Sequence, residues 1–266
     1  MKLASVGRII LKSPREIELM RAAGRLVNRV LCELEGRIRP GVTTAELDEV
    51  ATELIRSAGA TALFQGVQTP QARFPFPSSI CASVNEVVVH GIPDARPLSE
   101  GDVVSIDCGV RLQGYCGDAA RTFSVGRAAP AAQELLDAAR AALELAVEEI
   151  RPGKRWSQVA RRMQRLVEGR GFSVVREFVG HGIGREMHEE PKIPNYWSRG
   201  AGNADFELVP GMTLAVEPMI TAGQPEVEFA DATHWPVVTR DRSWAAHFED
   251  TVAVTESGAD VLSDGR

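Results

Sequence analysis

Apolar residues recur along this chain first at helical spacing and then in short β-branched runs, and the alternation is repeated once. Ser13-Pro14-Arg15-Glu16 forms a capping box with proline at the first helical position, and Met20, Ala23, Val27, Val30, Leu31 and Leu34 follow on one face. That spacing predicts a helix from Pro14 to about Leu34. Thr43 and Glu46 form a second capping box, and Leu47, Val50, Ala51, Leu54 and Ile55 follow, with Gly59 as the stop. An alanine-rich stretch from 130 to 150 predicts a third helix, and Val159, Met163, Leu166 and Val167, ending at Gly169 to Gly171, a fourth. Residues 1–12 read as an N-terminal extension or edge strand. Between Thr69 and Ser79, the run Phe74-Pro75-Phe76-Pro77 breaks any period and predicts a loop of unusual apolar content, a candidate pocket wall.

The stretch from Gly101 to Asp118 reads as a hairpin. Val103, Val104 and Ile106 lead to Asp107, a glycine-bearing turn follows, and Asp118 lies on the returning strand, so the two acids are expected to face each other. Either they are solvated at the surface or a cation lies between them, because a buried like-charged pair is costly alone.

The plan then repeats. Ile38-Arg39-Pro40-Gly41 recurs as Ile150-Arg151-Pro152-Gly153, and Leu54 and Gly59 align with Leu166 and Gly171 at the same offset of 112. Leu98 to Asp107 matches Leu208 to Glu217 at an offset of 110, which makes Glu217 the twin of Asp107, and His90-Gly91-Ile92 resembles His181-Gly182-Ile183. Such a duplication predicts an α+β fold of two pseudo-symmetric halves, about 13–129 and 130–266, within one catalytic domain over 13–266. The two carboxylate strands should meet about a pseudo-twofold axis in a curved, mostly antiparallel sheet, with helices on its outer face and one site between the halves.

Composition narrows the class. The chain has 266 residues, 44% apolar and 25% charged, which suits a soluble globular domain. A net charge of −6 gives no reason to expect nucleic-acid or membrane-surface binding. No run approaches the ~18 apolar residues of a membrane span, and the N-terminus lacks a secretory pattern, so the cytoplasm is expected. Cys32, Cys81, Cys108 and Cys116 lack metal-ribbon spacing and read as reduced thiols.

The candidates for chemistry are Asp107, Asp118, His181, Glu217 and Glu249, with His90 and His188 nearby in sequence. Glu217 is the most telling, since it lies in the apolar strand T-L-A-V-E-P-M-I, where an unpaired carboxylate is expensive. Four carboxylates and an imidazole suit divalent Mn, Co, Fe or Zn. Five ligands exceed one tetrahedral ion and suit a pair about 3.5–4 Å apart, the arrangement of metal-assisted hydrolysis. Activity should then fall below roughly pH 6, where ligands become protonated.

Five segments carry a family resemblance: N-E-V-V-V-H-G-I-P (Asn85 to Pro93), S-I-D-C-G with Asp118 following, G-H-G-I-G-R-E-M-H-E-E-P (Gly180 to Pro191), P-G-M-T-L-A-V-E-P-M (Pro210 to Met219) and H-F-E-D-T-V-A-V-T (His247 to Thr255). Together they resemble the type I methionine aminopeptidases, in the same order from about Ser13 to the C-terminus. The resemblance implies a pita-bread fold and hydrolytic removal of the initiator methionine from nascent chains when the second residue is small. It implies two divalent ions on Asp107, Asp118, His181, Glu217 and Glu249, with Asp118 and Glu249 bridging and Glu217 also accepting the proton of the attacking water. His90 would contact the substrate's amine or scissile nitrogen, and His188 would stabilise the oxyanion. Phe76, Cys81, Met187 and Trp235 resemble the wall of a methionine pocket. The implied partners are nascent polypeptide N-termini and the ribosome, for a monomer. Two departures stand out: Gln68 to Phe76 is longer and more proline-rich than the family pattern, and Tyr196 to Phe206 holds a small insertion. The competing readings are another pita-bread hydrolase, such as an X-Pro aminopeptidase or prolidase, and a non-catalytic pita-bread binding protein.

Overall fold

The computed structural model describes residues 9–197 and 205–265. The four expected helices form as α1 (Pro14–Glu35), α2 (Thr44–Ser57), α3 (Pro130–Glu149) and α4 (Trp156–Gly169). The first two begin where their own caps dictate. The Ser13 and Thr43 hydroxyls accept from the N–H of Glu16 and Glu46, whose carboxylates accept in return from Ser13 and Thr43 N–H at 2.9 and 2.7 Å, caps worth ~1 kcal/mol each. α3 starts on Pro130 without a side-chain cap. α4 is capped from a distance, because Asp205 accepts from the Ser157 N–H at 2.9 Å.

The strands, in chain order, are β1 (Thr61–Ala62), β2 (Ile80–Val84), β3 (Val87–Val89), β4 (Val103–Leu112), β5 (Tyr115–Ser124), β6 (Ser173–Val174), β7 (Gly180–Gly182), β8 (Glu189–Ile193), β9 (Thr213–Val216), β10 (Met219–Thr221), β11 (Val227–Phe229), β12 (Val237–Thr239), β13 (Ala245–His247), β14 (Glu249–Val254) and β15 (Ala259–Val261). The largest sheet runs β1-β4-β5-β14-β9-β7-β8, with β2 also beside β4 and β15 beside β14. All of its pairings are antiparallel. Two three-stranded sheets, β13-β10-β6 and β11-β12-β3, complete the described strands.

The strands of Asp107 and Glu217, expected to meet, are β4 and the end of β9, and they are separated by β5 and β14. The cause is the hairpin. β4 and β5 are joined by the two-residue turn Gln113-Gly114, both at positive φ (52° and 81°), as a tight turn matched to strand twist requires. Within the largest sheet, contact between the halves therefore falls to the second strand of each pair, β5 against β14, while β3 pairs with β12 in a separate sheet.

Alternation then sorts the side chains. Val104, Ile106, Cys108 and Val110 of β4 pack with Leu26, Val30 and Leu47 of α1 and α2, and Leu214, Val216, Val252 and Val254 pack with Leu135, Leu143, Val159 and Met163 of α3 and α4. The intervening residues, Asp107 among them, must face away from the helices. Residues 9–12 form no edge strand; the Lys12 N–H donates to the Gly211 carbonyl at 2.7 Å, just before β9. Residues 1–8 of the expected extension and most of the expected insertion at Tyr196 to Phe206 lie outside the described residues. Among the described residues no helix is long and apolar enough to cross a membrane.

α1 lies against the sheet through glycines. A Cβ on Gly24 would stand 2.2 Å from the Leu262 carbonyl oxygen, and one on Gly117 of β5 would stand 2.6 Å from the Gly24 nitrogen. In a free helix Gly→Ala is stabilising by up to ~1 kcal/mol. Here Gly24→Ala is expected to destabilise the fold by about 1–3 kcal/mol through overpacking against backbone, read as a lower urea midpoint. An unchanged or higher midpoint would show that α1 can retreat.

Candidate active site

On the face away from the helices lies a cavity of about 550 Å³. Asp107, Asp118, His181, Glu217, Glu249, His90, His188, Phe76, Cys81, Met187 and Trp235 all line it. Asp107 and Asp118 are staggered rather than opposite, since Asp107 pairs with Ala120 and Asp118 with Gly109. The glycine leaves room for the acid: a Cβ there would lie 3.1 Å from Asp118 Oδ1. Glu249 is likewise opposite Ala120 across the central strand pair, so small residues on β4 and β5 clear the space into which three carboxylates project.

The centre is held by the backbone. Where the regular β5–β14 ladder ends, the Thr251 hydroxyl accepts from the Asp118 N–H at 3.0 Å and donates to the Asp118 carbonyl at 2.8 Å. Behind it, on the helix side, Arg121 donates to Asp250 Oδ1 at 2.7 Å and to the Glu249 carbonyl at 2.5 Å. The buried Asn195 amide donates to the Glu217 carbonyl at 2.9 Å.

Ligand atoms of Asp118, His181 and Glu249 all lie within 4.8 Å of one another. His181 Nε2 is 3.4 Å from Glu217 Oε1. His181 Nδ1 is 2.9 Å from the Gly182 carbonyl oxygen; a carbonyl only accepts, so the proton sits on Nδ1 and the Nε2 lone pair faces the acids, the tautomer of a metal ligand.

The charge balance is the decisive property. Desolvation, then the neighbouring acids, push Asp107, Glu217 and Glu249 well above the usual carboxylate range, and burial raises Asp118 to about 7. The nearby imidazoles offer no compensating charge, since burial lowers His181 to about 4 and His247 to about 3. Asp107 Oδ1, Asp118 Oδ1 and Glu249 Oε1 are buried without a hydrogen-bond partner among the described residues. Unpartnered buried oxygens converging with a free imidazole lone pair fit a divalent cation. The thiols do not belong to this set. Cys108 packs on the helix side, and Cys116, two residues from Asp118, directs its thiol to the Arg185 carbonyl at 3.4 Å.

The apolar end is built by Phe76, Cys81 and Trp235, which form one cluster with Phe64 and Val67. The Phe76 and Trp235 ring centroids are 5.1 Å apart, edge to face, and the Trp235 indole donates to the Phe74 carbonyl at 2.8 Å. The irregular 69–79 loop thus supplies a wall. His90, at a positive φ of 58°, stands 5.4 Å from Phe178 and 6.2 Å from Trp235 by ring centroids. His188 is exposed, its ring 4.4 Å from that of His181.

His90 and His181 are not structural twins. His181 pairs with Ala215, whose repeat counterpart Ser105 pairs with Ser83, whereas His90 follows β3 in a separate sheet. The short likeness around H-G-I does not survive the register. Conversely, His247, part of the last motif but not one of the candidates for chemistry, belongs to the site: it is buried, its Nε2 has no hydrogen-bond partner among the described residues, and it lies 3.9 Å from Glu217 Oε2. Its signal was its place two residues before Glu249 in an apolar stretch.

Known proteins resemble this chain over nearly its whole length. The model of metallopeptidase family M24 matches residues 18–256. Methionine aminopeptidase 1 of Bacillus subtilis (strain 168) is 46% identical over 255 residues, covering 96% of this chain and 99% of the relative. The solved methionine aminopeptidase from Thermotoga maritima superposes with a TM-score of 0.90 at 41% identity, over 96% of this chain and 99% of that one. A prolidase from Pyrococcus furiosus, with a TM-score of 0.73 at 22% identity over 97% of this chain and 66% of that one, shares the fold alone. The chain belongs to metallopeptidase family M24 and, within its pita-bread fold, to the type I methionine aminopeptidases.

Proposed function

We propose that this protein hydrolyses the peptide bond after an N-terminal methionine, and that Asp107, Asp118, His181, Glu217 and Glu249 would hold the two divalent ions that the reaction uses. The observation that carries the reading is the set of buried, unpartnered carboxylate oxygens at the floor of a cavity whose other end is apolar. When bound, Mn, Co, Fe or Zn would supply Lewis acidity, polarising the scissile carbonyl and acidifying the attacking water. The remaining work falls to side chains. Phe76, Cys81, Met187 and Trp235 hold the flexible thioether chain and exclude water from it. His90, which burial keeps neutral by lowering it to about 4, hydrogen-bonds the substrate's amine or scissile nitrogen. His188, at the mouth, donates to the oxygen that gains charge as the carbonyl is attacked. Glu217, directly after β9, accepts the proton of the water and can return it to the leaving amine.

Both halves contribute ligands, so residues 13–266 work as one domain. The substrate is a nascent polypeptide N-terminus, met at the ribosome in the cytoplasm by a monomer, and the net charge of −6 suits contact with the peptide rather than with RNA. With Mn or Co, the protein is expected to release methionine from Met-Ala-Ser but not from Met-Lys peptides in a free-amino-acid assay, and Glu217→Gln to lower kcat by about 10²–10⁴. Absence of release with any divalent metal would sink the proposal, and preferential cleavage of X-Pro peptides would move it to the prolidase reading.

The raised carboxyls also set a pH dependence. Each binds its proton more tightly folded than unfolded, so in metal-free protein this contribution is present at low pH and is lost as pH rises through the folded value, about 7 for Asp118. The depressed histidines act in the opposite sense, but only below their ordinary value of about 6.5. Above that point the raised carboxyls set the slope, joined toward the top of the range by the buried thiols of Cys81, Cys108 and Cys116, which burial raises and which act in the same sense. Chelator-treated protein should therefore melt at progressively lower temperature from about pH 6.5 to 8.5, and added Mn or Co should raise the melting temperature more at pH 8 than at pH 6, because the cation replaces protons. A metal-induced shift that does not grow with pH would count against the site.

A further inference from the structure

Met187 and His188 ride on the stretch 183–188 between β7 and β8, which has little regular structure to hold it. It is closed instead by a carboxylate. Glu189 Oε1 accepts from the N–H groups of Arg185 and Glu186 at 2.9 and 3.2 Å, and Glu189 Oε2 accepts from Lys12 Nζ at 2.5 Å. Both side chains are nearly sealed from water, at 4% and 9% exposure. Lys12 is anchored at two further points, donating from Nζ to the Ile10 carbonyl at 3.0 Å and from its backbone N–H to the Gly211 carbonyl at 2.7 Å. There is no slack around the pair: a Cβ on Gly184 would lie 2.4 Å from Lys12 Cε and 2.5 Å from Glu189 Oε1. The loop is also tied by backbone bonds such as Cys116 N–H to the Gly184 carbonyl at 2.7 Å, by the Cys116 thiol on the Arg185 carbonyl at 3.4 Å and the Thr213 hydroxyl on the Ile183 carbonyl at 2.5 Å, by Arg185 over the Tyr115 ring at 4.6 Å, and by the exposed Arg111–Glu186 pair at 2.9 Å.

One residue of the N-terminal segment thus touches two elements that the chemistry needs in register. Its backbone is bonded just ahead of β9, which Glu217 directly follows, and its ammonium is bonded to the carboxylate that shapes the His188 loop. We propose that Lys12, through Glu189, is a positioning residue that fixes His188 relative to Glu217. A buried ion pair suits this task, since it adds little net stability but penalises any arrangement that separates the charges. The inference rests on the reading that His188 donates to the developing oxyanion, and a donor displaced by about 1 Å can cost ~10²-fold in rate.

The test is a double-mutant cycle with Mn-loaded enzyme on Met-Ala-Ser. Lys12→Met is expected to lower kcat by about 10–100-fold with a much smaller change in KM, Lys12→Arg to restore most of it, and the Mn affinity measured by calorimetry to stay at the wild-type value because no proposed ligand lies on the loop. In a His188→Ala background, Lys12→Met should have no further effect on kcat. If the lone uncompensated charge of Lys12→Met prevents folding, the neutral pair Lys12→Met with Glu189→Gln carries the same expectations. A wild-type kcat for Lys12→Met, a loss that persists in full in the His188→Ala background, or a parallel fall in Mn affinity would overturn the proposal. A His188→Ala enzyme with unchanged kcat would overturn the His188 reading itself, and this inference with it.

Discussion

Asp107, Asp118, Glu217 and Glu249 converge in one cavity, and among the described residues Glu217 has imidazoles, those of His181 and His247, as its neighbours rather than a lysine or arginine. The neighbouring imidazoles are kept neutral by the burial that raises the acids. Such a cluster is a liability to the fold: without a cation it must retain protons or repel itself. Its persistence makes sense only as a cradle, and most other features of the molecule serve to build that cradle or limit its cost.

The sheet does this by separating roles between its faces. Helix-side residues of β4, β5, β9 and β14 form two apolar clusters under α1 and α2 and under α3 and α4, so the burial that stabilises the fold is remote from the burial that strains the acids. At the axis between β5 and β14 a threonine hydroxyl replaces ladder hydrogen bonds, and Arg121 with Asp250 holds the reverse side. The rigid backbone behind Asp118 and Glu249 keeps the like charges close when relaxation would separate them. Along the rim, the ion pair of Lys12 and Glu189 brings the chain's beginning to the same centre.

Local patterns were legible where they depend on neighbours in sequence. Ser13 and Thr43 mark the starts of α1 and α2 because a cap is a contact over three residues, and Asp107, Glu217 and the helix faces follow from alternation and helical period. The repeat exposed Glu217 because both halves preserve the same turn before the same strand. What failed was pairing across distance. Asp107 and Asp118 are staggered because the turn sets the register, β4 and β9 are kept apart by the hairpin, and His90 only imitates His181 over three residues. His247 has a local signal in its apolar stretch before Glu249, but only the pairing of β10 with β13 brings it to Glu217.

The sequence by itself determined the helices, the hairpin, the repeated pattern and, through five motifs, the family, since all of these are written in short-range order. Only the tertiary structure decided which strands adjoin, which oxygens lack partners, where the histidine protons lie and how the N-terminal segment reaches the loop of His188. Those depend on contacts between residues far apart in the chain, and whether a carboxylate is a surface charge or a ligand in waiting depends on what the folded chain puts around it.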